Sequence, residues 1–458
     1  MPGNVQQLRG AVLQAAESGS RLCITAGRHA MGGQQFADGS VMVDTRGLDR
    51  TLELDEDRGL ATVEAGIQWP KLVRDLHALS PTWSFKQKQT GGDRLSIGGA
   101  MASNIHSRGL AFRPFVDDIE SFDLVCPDGG LKRCSRDENP DLFRLAVGGY
   151  GLFGVVYSVT MRLARRHKLR RVVEEADASE VAGKFQERID AGFEFGDFQF
   201  AIDNSSDDFL RKGVFACYEP VDDETAIPKG QLRLPNKLWN ELAYMAHRDK
   251  DRCYEMYRDF YLKTDGQIYW SDLHQMTPYV DDYHASLDRR VGAKCKGSEM
   301  ITELFVRRDD LAGFIGAARK YLRENDGNVI YGTVRLIEKD EETFLPWARD
   351  DWACTIFNLH VDHSAEGLAK AMRDFLALID LALERGGSYY LTYHRWARRE
   401  QVLAAYPQFE EFLSLKRSHD PDGVFDSDWY RHYSELFGSD SQTNTNSPAA
   451  LSTSAPLR

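Results

Sequence analysis

Two sets of residues in this chain have types and spacing suited to chemistry. The first is glycine-rich. Ala26-Gly27-Arg28-His29-Ala30-Met31-Gly32-Gly33 is followed by Gly91-Gly92, then by Ser96-Ile97-Gly98-Gly99 with Ser103-Asn104-Ile105-His106, then by Gly149, Gly151, Gly154 and Val155. Glycine costs backbone entropy, so such clusters mark tight turns or main chain pressed against a ligand. A row of amides in a small-residue loop suits a phosphate. The second set can hold or move charge: His29, His106, His360 and His394, with Glu303 and Arg335. Histidine exchanges protons near neutral pH.

One literal match is misleading. Gly149-Tyr150-Gly151-Leu152-Phe153-Gly154 reads as G-x-G-x-x-G. The dinucleotide fingerprint needs a strand before it, a helix after it and an acidic residue about 20 positions on. Here the alternating run VVYSVTMRLA follows and predicts a strand, so these glycines read as a turn close to something flat.

These residues must be positioned by the elements around them. Apolar spacing predicts a helix over Val5 to Ser18, then a short buried strand (RLCITAG) running into the first glycine loop. Three strand-like runs follow (VMVDT, TLELD, LATVEAG), then a helix over Trp69 to Leu79 with Pro70 in its first turn. Pro127-Asp128-Gly129-Gly130 predicts the turn of a hairpin, Asp141 to Val147 a short helix, and Gly154 to Leu163 a strand. The basic run RRHKLRR marks a linker or a first strand. Strands are expected over Phe193 to Asp203, GVFACYEP, Met300 to Val306, Val329 to Ile337 and Ala353 to Val361. Helices are expected over Leu238 to Leu262, Arg308 to Glu324 and Ser364 to Arg385. The aromatic residues of 238–262 read as core. This order predicts an antiparallel sheet backed by helices.

Side chains alternate across a strand. Cys354, Ile356, Asn358 and His360 therefore share one face, which is unusual for a core and is expected to line a pocket. Thr333 and Arg335 share a face too. A buried arginine needs a partner, and Glu303 is the candidate.

Composition sets limits. The 458 residues allow two or three domains, and a net charge of −13 without a long basic run argues against nucleic acid as the main partner. No apolar stretch approaches the roughly 20 residues of a membrane span. Seven dispersed cysteines without a C-x-x-C pair suggest reduced thiols, and no metal site is expected. No signal peptide is visible, which leads to an expected cytoplasmic location. The Ser-, Thr-, Asn- and Pro-rich stretch 438–458 reads as a disordered tail.

GRHAMGG, SIGGAMASNIH, ESFDLVCPDG and DLFRLAVGGYGLFGVV, in that order, resemble the FAD-binding domain of the vanillyl-alcohol oxidase/p-cresol methylhydroxylase (PCMH) superfamily. The resemblance is strongest to decaprenylphosphoryl-ribose oxidase and to the aldonolactone and alditol oxidases. It covers roughly residues 5 to 165. It implies an α+β fold: a PCMH-type FAD-binding domain (1–165) of two α+β subdomains, a substrate or cap domain (166–400), and a segment (401–437) returning to the FAD domain. Relatives usually carry a strand or two before the first helix, so the beginning of this chain looks short. The resemblance assigns Ala26 to Gly33 to the pyrophosphate, Gly91, Ser96 to Gly99 and Ser103 to His106 to the dinucleotide and flavin, Val155 to the adenine end, and Gly149 and Gly154 to the cofactor as well.

Sugar-oxidising relatives bond a loop histidine to the flavin, which makes His29 a candidate for covalent attachment; Arg28 stands where those relatives have a small residue. The carboxy-terminal SYYLTYHRW and Lys416-Arg417-Ser418-His419-Asp420-Pro421 with Phe425 resemble the same relatives, and place their active-site basic residue at His394. The expected activity is FAD-dependent oxidation of an alcohol carbon of a sugar, sugar alcohol or lactone. His394 would be base or orienter, and Arg335, Glu303, Asn358 and His360 would hold substrate or stabilise charge. The acceptor would be oxygen or another oxidant. A 2-hydroxy-acid dehydrogenase and a non-catalytic flavin-binding subunit are the alternatives.

Overall fold

The computed structural model describes residues 1–277 and 283–438. The expected tail lies outside these residues, except that Gly438 ends the last helix. Among the described residues the strands form three sheets.

The first two sheets belong to the amino-terminal half. Helix α1 (Val5–Ser18) buries Leu8, Val12 and Ala15; Asn4 caps its start and Gly19, at φ 65°, ends it. Strands β1 (Leu22–Thr25) and β2 (Val41–Asp44) pair in parallel, with the first glycine loop between them. Then come β3 (Thr51–Asp55), β4 (Leu60–Glu64), α2 (Trp69–Leu79), β5 (Trp83–Phe85), α3 (Ile97–Ser103), β6 (Ile119–Val125), β7 (Leu131–Ser135), α4 (Pro140–Ala146) and β8 (Val155–Arg165). They build an antiparallel sheet in the order β3-β4-β8-β6-β7, with β5 also on β8. The G-x-G-x-x-G stretch runs directly into β8, so it is a turn before a strand, as its alternation predicted.

The second half is one eight-stranded sheet. It contains β9 (Lys168–Asp177), β10 (Phe195–Phe200), β11 (Lys212–Val221), β12 (Ile268–Trp270), β13 (Gly297–Arg307), β14 (Val329–Ile337), β15 (Trp352–Asp362) and β16 (Ser388–Tyr389). Their order is β12-β9-β11-β10-β14-β15-β13-β16. Helices α5 (Val181–Asp190), α9 (Leu311–Glu324) and α10 (Ala365–Leu383) back this sheet through Phe185, Phe314, Ala318, Leu322, Phe375 and Leu378, all at or near zero exposure. Each of the phenylalanine and leucine side chains contributes roughly 1.5–3 kcal/mol of burial. The other face turns toward the glycine-rich half. It is partly covered by α6 (Asn236–Arg248), α7 (Lys250–Leu262) and α8 (Tyr283–Val291).

Several sequence-based expectations need correction. The helix expected over Leu238 to Leu262 is two helices. Asp249 takes an extended conformation (φ −156°, ψ 85°) and its carboxylate accepts from the Arg252 amide, capping α7. SYYLTYHRW, which the resemblance made the strand carrying His394, pairs only over Ser388–Tyr389 and then turns. RRHKLRR contains the start of β9, and the sequence reading missed α3, α5 and α8. The carboxy-terminal helical region is three helices, α11 (Arg399–Ala405), α12 (Phe409–His419) and α13 (Asp428–Gly438).

The Lys416-to-Phe425 motif has a visible physical role. Lys416 and Asp420 form a buried ion pair, and Asp420 also accepts from the Val424 and Phe425 amides at 2.9 and 2.8 Å. That turn delivers the main chain to β1: the Leu22 amide donates to Val424 O, and the Asp426 amide to Leu22 O. The end of the described chain thus closes on its first strand.

Candidate active site

Between the glycine-rich half and the eight-stranded sheet lies a cavity of about 1160 Å³. Drug-sized ligands occupy roughly 300–1,000 Å³, so this space suits a ligand larger than most, or two ligands together.

One wall is mostly main chain and small side chains: Ala26 to Met31, Gln89 to Gly92, Ser96, Gly98, Gly99, Ser103, Ile105, Gly151, Gly154 and Val155. Small residues are required here. A Cβ on Gly27 would stand 2.3 Å from Arg94 O, and Gly154 sits at φ 154° with Val125 O only 2.7 Å from any added Cβ. The Gln89–Gly92 loop is held from beneath by a buried ion pair, Lys88 Nζ to Asp93 Oδ1 at 2.5 Å. His29 lies on this wall.

Asn104 and His106 stand behind the wall and join the two halves. Asn104, in the left-handed region at φ 49°, donates to Asp340 Oδ2 at 3.0 Å and accepts from the Val116 amide at 2.9 Å, while its carbonyl accepts from Trp347 Nε1. His106 Nε2 lies 2.6 Å from Glu303 Oε2. Ile97 is buried in the core beneath α3, and Gly32, Gly33 and Gly149 are also off the cavity surface. The Gly32 amide donates to Gln34 Oε1, and Gln34 Nε2 ties the loop to Thr392 O at 2.9 Å.

The opposite wall is made of side chains on one face of the large sheet: Arg171, Asp197, Gln199, Arg335, Ile356, Asn358, Ile301 and Glu303. At its centre Glu303 accepts from the Tyr393 hydroxyl through one oxygen and faces His106 through the other. Burial alone would raise the Glu303 carboxyl, but the charge and hydrogen bond of His106, the Tyr393 hydroxyl and the charge of Arg335 hold it below the usual range. Arg335 is 3% exposed, and its Nε and Nη1 have no hydrogen-bond partner among the described residues. The charge of Arg335 acts on Glu303, but no hydrogen bond between them satisfies these atoms. Asn358 Oδ1, Gln89 Oε1 and Thr90 Oγ1 are buried on the same cavity and equally unpartnered. A buried polar group without a partner costs free energy, so this set points to a polar ligand between the walls.

Two sequence assignments fail here. His394 does not reach the cavity. It is 4% exposed, packs on Phe375 and Trp396, and has no hydrogen bond at either ring nitrogen. Burial pushes it down to about 3, so it is a neutral core side chain. The residue before it, Tyr393, faces the cavity instead, because the chain turns as soon as it leaves β16. His360 shares the face of Asn358, as alternation predicted, but lies further along β15, beyond the cavity, against Glu299 and His247.

Other cavity residues went unread. The aromatic side chains of α6 and α7, expected in the core, line the far end: Trp239, Tyr254, Tyr257, Phe260 and Tyr261. Arg108 stacks 4.7 Å over the Tyr218 ring and pairs with Asp197 at 3.4 Å; Arg171 donates to the Tyr218 hydroxyl. His274, wedged between Phe195 and Tyr218, is pushed well down by burial and then by the charge of Arg108. Arg108 follows the SNIH motif directly. Arg171 ends the basic run RRHKLRR, while nothing in the local sequence marks His274.

Comparison with known proteins agrees with the glycine-rich wall. Residues 1–135 match the model of an FAD binding domain. The amino-terminal part of this chain is a PCMH-type FAD-binding domain. FAD is its cofactor, and the small-residue wall with its unpartnered polar atoms fits that group. The chain is 22% identical over 449 residues to decaprenylphosphoryl-beta-D-ribose oxidase of Mycolicibacterium smegmatis, covering 92% of this chain and 91% of that protein. It is 33% identical over 144 residues to L-galactono-1,4-lactone dehydrogenase 2 of Oryza sativa (31% of this chain, 24% of that protein) and 29% identical over 206 residues to L-gulono-1,4-lactone dehydrogenase of Mycobacterium tuberculosis (44% and 46%). The matched stretch thus spans about a quarter of the plant dehydrogenase and under half of the mycobacterial one. No helix among the described residues is long and apolar enough to cross a membrane.

Proposed function

We propose that this protein is an FAD-dependent oxidoreductase that oxidises a CH–OH carbon of a polar substrate: a sugar, a sugar alcohol or a lactone. The observation that carries this reading is Glu303 beside Arg335, whose Nε and Nη1 have no hydrogen-bond partner among the described residues, on the wall facing the FAD-binding loops. FAD, when bound, supplies the two-electron acceptor. The side chains supply the rest. Glu303, held as a carboxylate, takes the hydroxyl proton. Tyr393 and His106 fix its orientation. Arg335 and Asn358 bind substrate oxygens, and the aromatic end of the cavity limits water. The names and coverage of the relatives support the same class of chemistry. Oxygen or another oxidant takes the electrons. Gly27 to Met31, with His29, would hold the cofactor, and His29 is the residue for a covalent link. A cytoplasmic location belongs to this reading; the seven cysteines are all free.

One observation favours a second substrate class. Arg108, Arg171 and Arg335 all line the cavity, and Arg335 could hold a carboxylate in two-point contact, so a 2-hydroxy acid would also fit. The test is anaerobic flavin bleaching with a panel of aldonolactones, alditols, pentoses and 2-hydroxy acids. Bleaching by one class selects the substrate. Retained FAD that no member bleaches would favour the non-catalytic flavin-binding reading. Acid precipitation of the holoprotein, with flavin in the pellet or the supernatant, decides covalent attachment.

A further inference from the structure

A second histidine–carboxylate cluster lies outside the cavity. Glu299 on β13 is 3% exposed at its side chain and meets three imidazoles from three other elements. His247, at the end of α6, places Nε2 2.9 Å from Glu299 Oε1. His360, on β15, places Nδ1 3.5 Å from the same oxygen. His284, on α8, turns Nε2 to the other oxygen, Oε2. The ligand atoms of His247, Glu299 and His360 all lie within 4.8 Å of one another. Around a tetrahedral zinc at its usual bond lengths, neighbouring ligand atoms stand about 3.3–3.5 Å apart, so small adjustments bring this set onto one ion.

Proton placement is difficult without a cation. His247 Nδ1 lies 2.8 Å from Ala243 O, which can only accept, so Nδ1 carries a proton. In the neutral ring Nε2 then offers a lone pair to a carboxylate oxygen 2.9 Å away, two acceptors face to face. His360 has the same arrangement in weaker form, with Glu299 at Nδ1 and Asp362 3.4 Å from Nε2, and its Nδ1 makes no hydrogen bond. A cation among the lone pairs of this cluster gives His247 a role at both nitrogens, with the Ala243 carbonyl orienting the ring from behind, as metal-bound histidines are usually oriented.

We propose that His247, Glu299 and His360 bind one divalent cation of the zinc class. Two imidazoles and one carboxylate select a borderline cation over magnesium or calcium, which prefer oxygen ligands. Water completes the tetrahedron. The site ties α6 to the sheet where Leu242, Ala243 and Ala246 of α6 line the cavity, and so fixes the helical cover. It stands apart from the proposed oxidation.

The test uses flavin-loaded full-length protein. After dialysis against chelator, zinc is added back and bound metal is measured by mass spectrometry. One zinc per chain is expected, with a rise in thermal midpoint of roughly 3 °C or more at saturation. His247→Gln and His360→Gln are each expected to lose at least ten-fold in zinc affinity with an unchanged flavin spectrum. Cobalt added to the unsubstituted protein is expected to give the intense visible bands of a tetrahedral site, a readout independent of whether the variants fold. No saturable zinc, full-affinity binding in both variants, or octahedral cobalt bands would each overturn the proposal.

Discussion

Glu299 and Glu303 lie on the same face of β13, about 13 Å apart by strand geometry, and each is buried against histidine. Their surroundings differ. Glu303 has one imidazole, one phenol, the Cys354 thiol and a nearby guanidinium, and it opens on the large cavity opposite the glycine-rich wall. Glu299 has three imidazoles and the Tyr283 hydroxyl, and it does not line that cavity. The difference teaches that a histidine–carboxylate pair takes its role from what else faces it. One uncommitted cation and open space suit proton transfer at Glu303. A closed ring of lone pairs suits a bound ion at Glu299.

The largest effect that can break this contrast is expected at Glu303. Glu303→Gln keeps the shape and removes the base; substrate-driven flavin bleaching should slow by about 10²–10⁴-fold while the flavin absorption is retained. Loss of the flavin instead would make Glu303 a structural residue like Glu299. Arg335→Met should lower kcat/KM by roughly 10–100-fold, because a charge-assisted contact is lost. A steady-state comparison measures it, and an unchanged value would remove Arg335 from the substrate contacts.

A finer test is Tyr393→Phe. The Glu303 carboxyl is held low, so activity is present at neutral pH and is lost as pH falls through its bound-state value. Removing the hydroxyl removes one lowering influence, so the acid limb of kcat/KM should move to higher pH, with less than about ten-fold change in rate above it. An unmoved limb would assign that limb to another group.

The smallest catalytic effect is expected at His394. His394→Leu should change turnover by less than about two-fold, since the ring touches only core aromatics. Its effect is on stability. The folded value of about 3 lies below the ordinary 6.5, so stability is complete above pH 6.5 and declines as pH falls toward 3. Urea unfolding of His394→Leu across that range should show a flatter pH dependence than the unsubstituted protein.

The FAD half was readable because its constraints are local. A loop whose backbone packs closely on neighbouring chain needs glycine at fixed positions, and Gly27, Gly98 and Gly154, where a Cβ would meet Arg94 O, Ala65 and Val125 O, declare this tightness in the sequence. Strand alternation gave the face of Asn358 and Arg335, since period two is also local. Alternation does not say where along a strand the cavity ends, so His360 was placed in it and Glu299 was not considered. The turn after β16 decides between Tyr393 and His394, and no neighbouring residue marks it. The aromatic residues of α6 and α7 have core-like spacing; whether that face meets core or cavity depends on what packs opposite.

The residues alone therefore determined the glycine-rich loops, most of the strands and helices, and the α+β class, because turn chemistry and side-chain period act over a few positions. The tertiary structure decided which charged groups meet. His106 and Glu303 are 197 positions apart, His247 and Glu299 52, and Leu22 joins Val424 across nearly the whole chain. Such contacts form only when separate elements pack, so their chemistry depends on the fold as a whole.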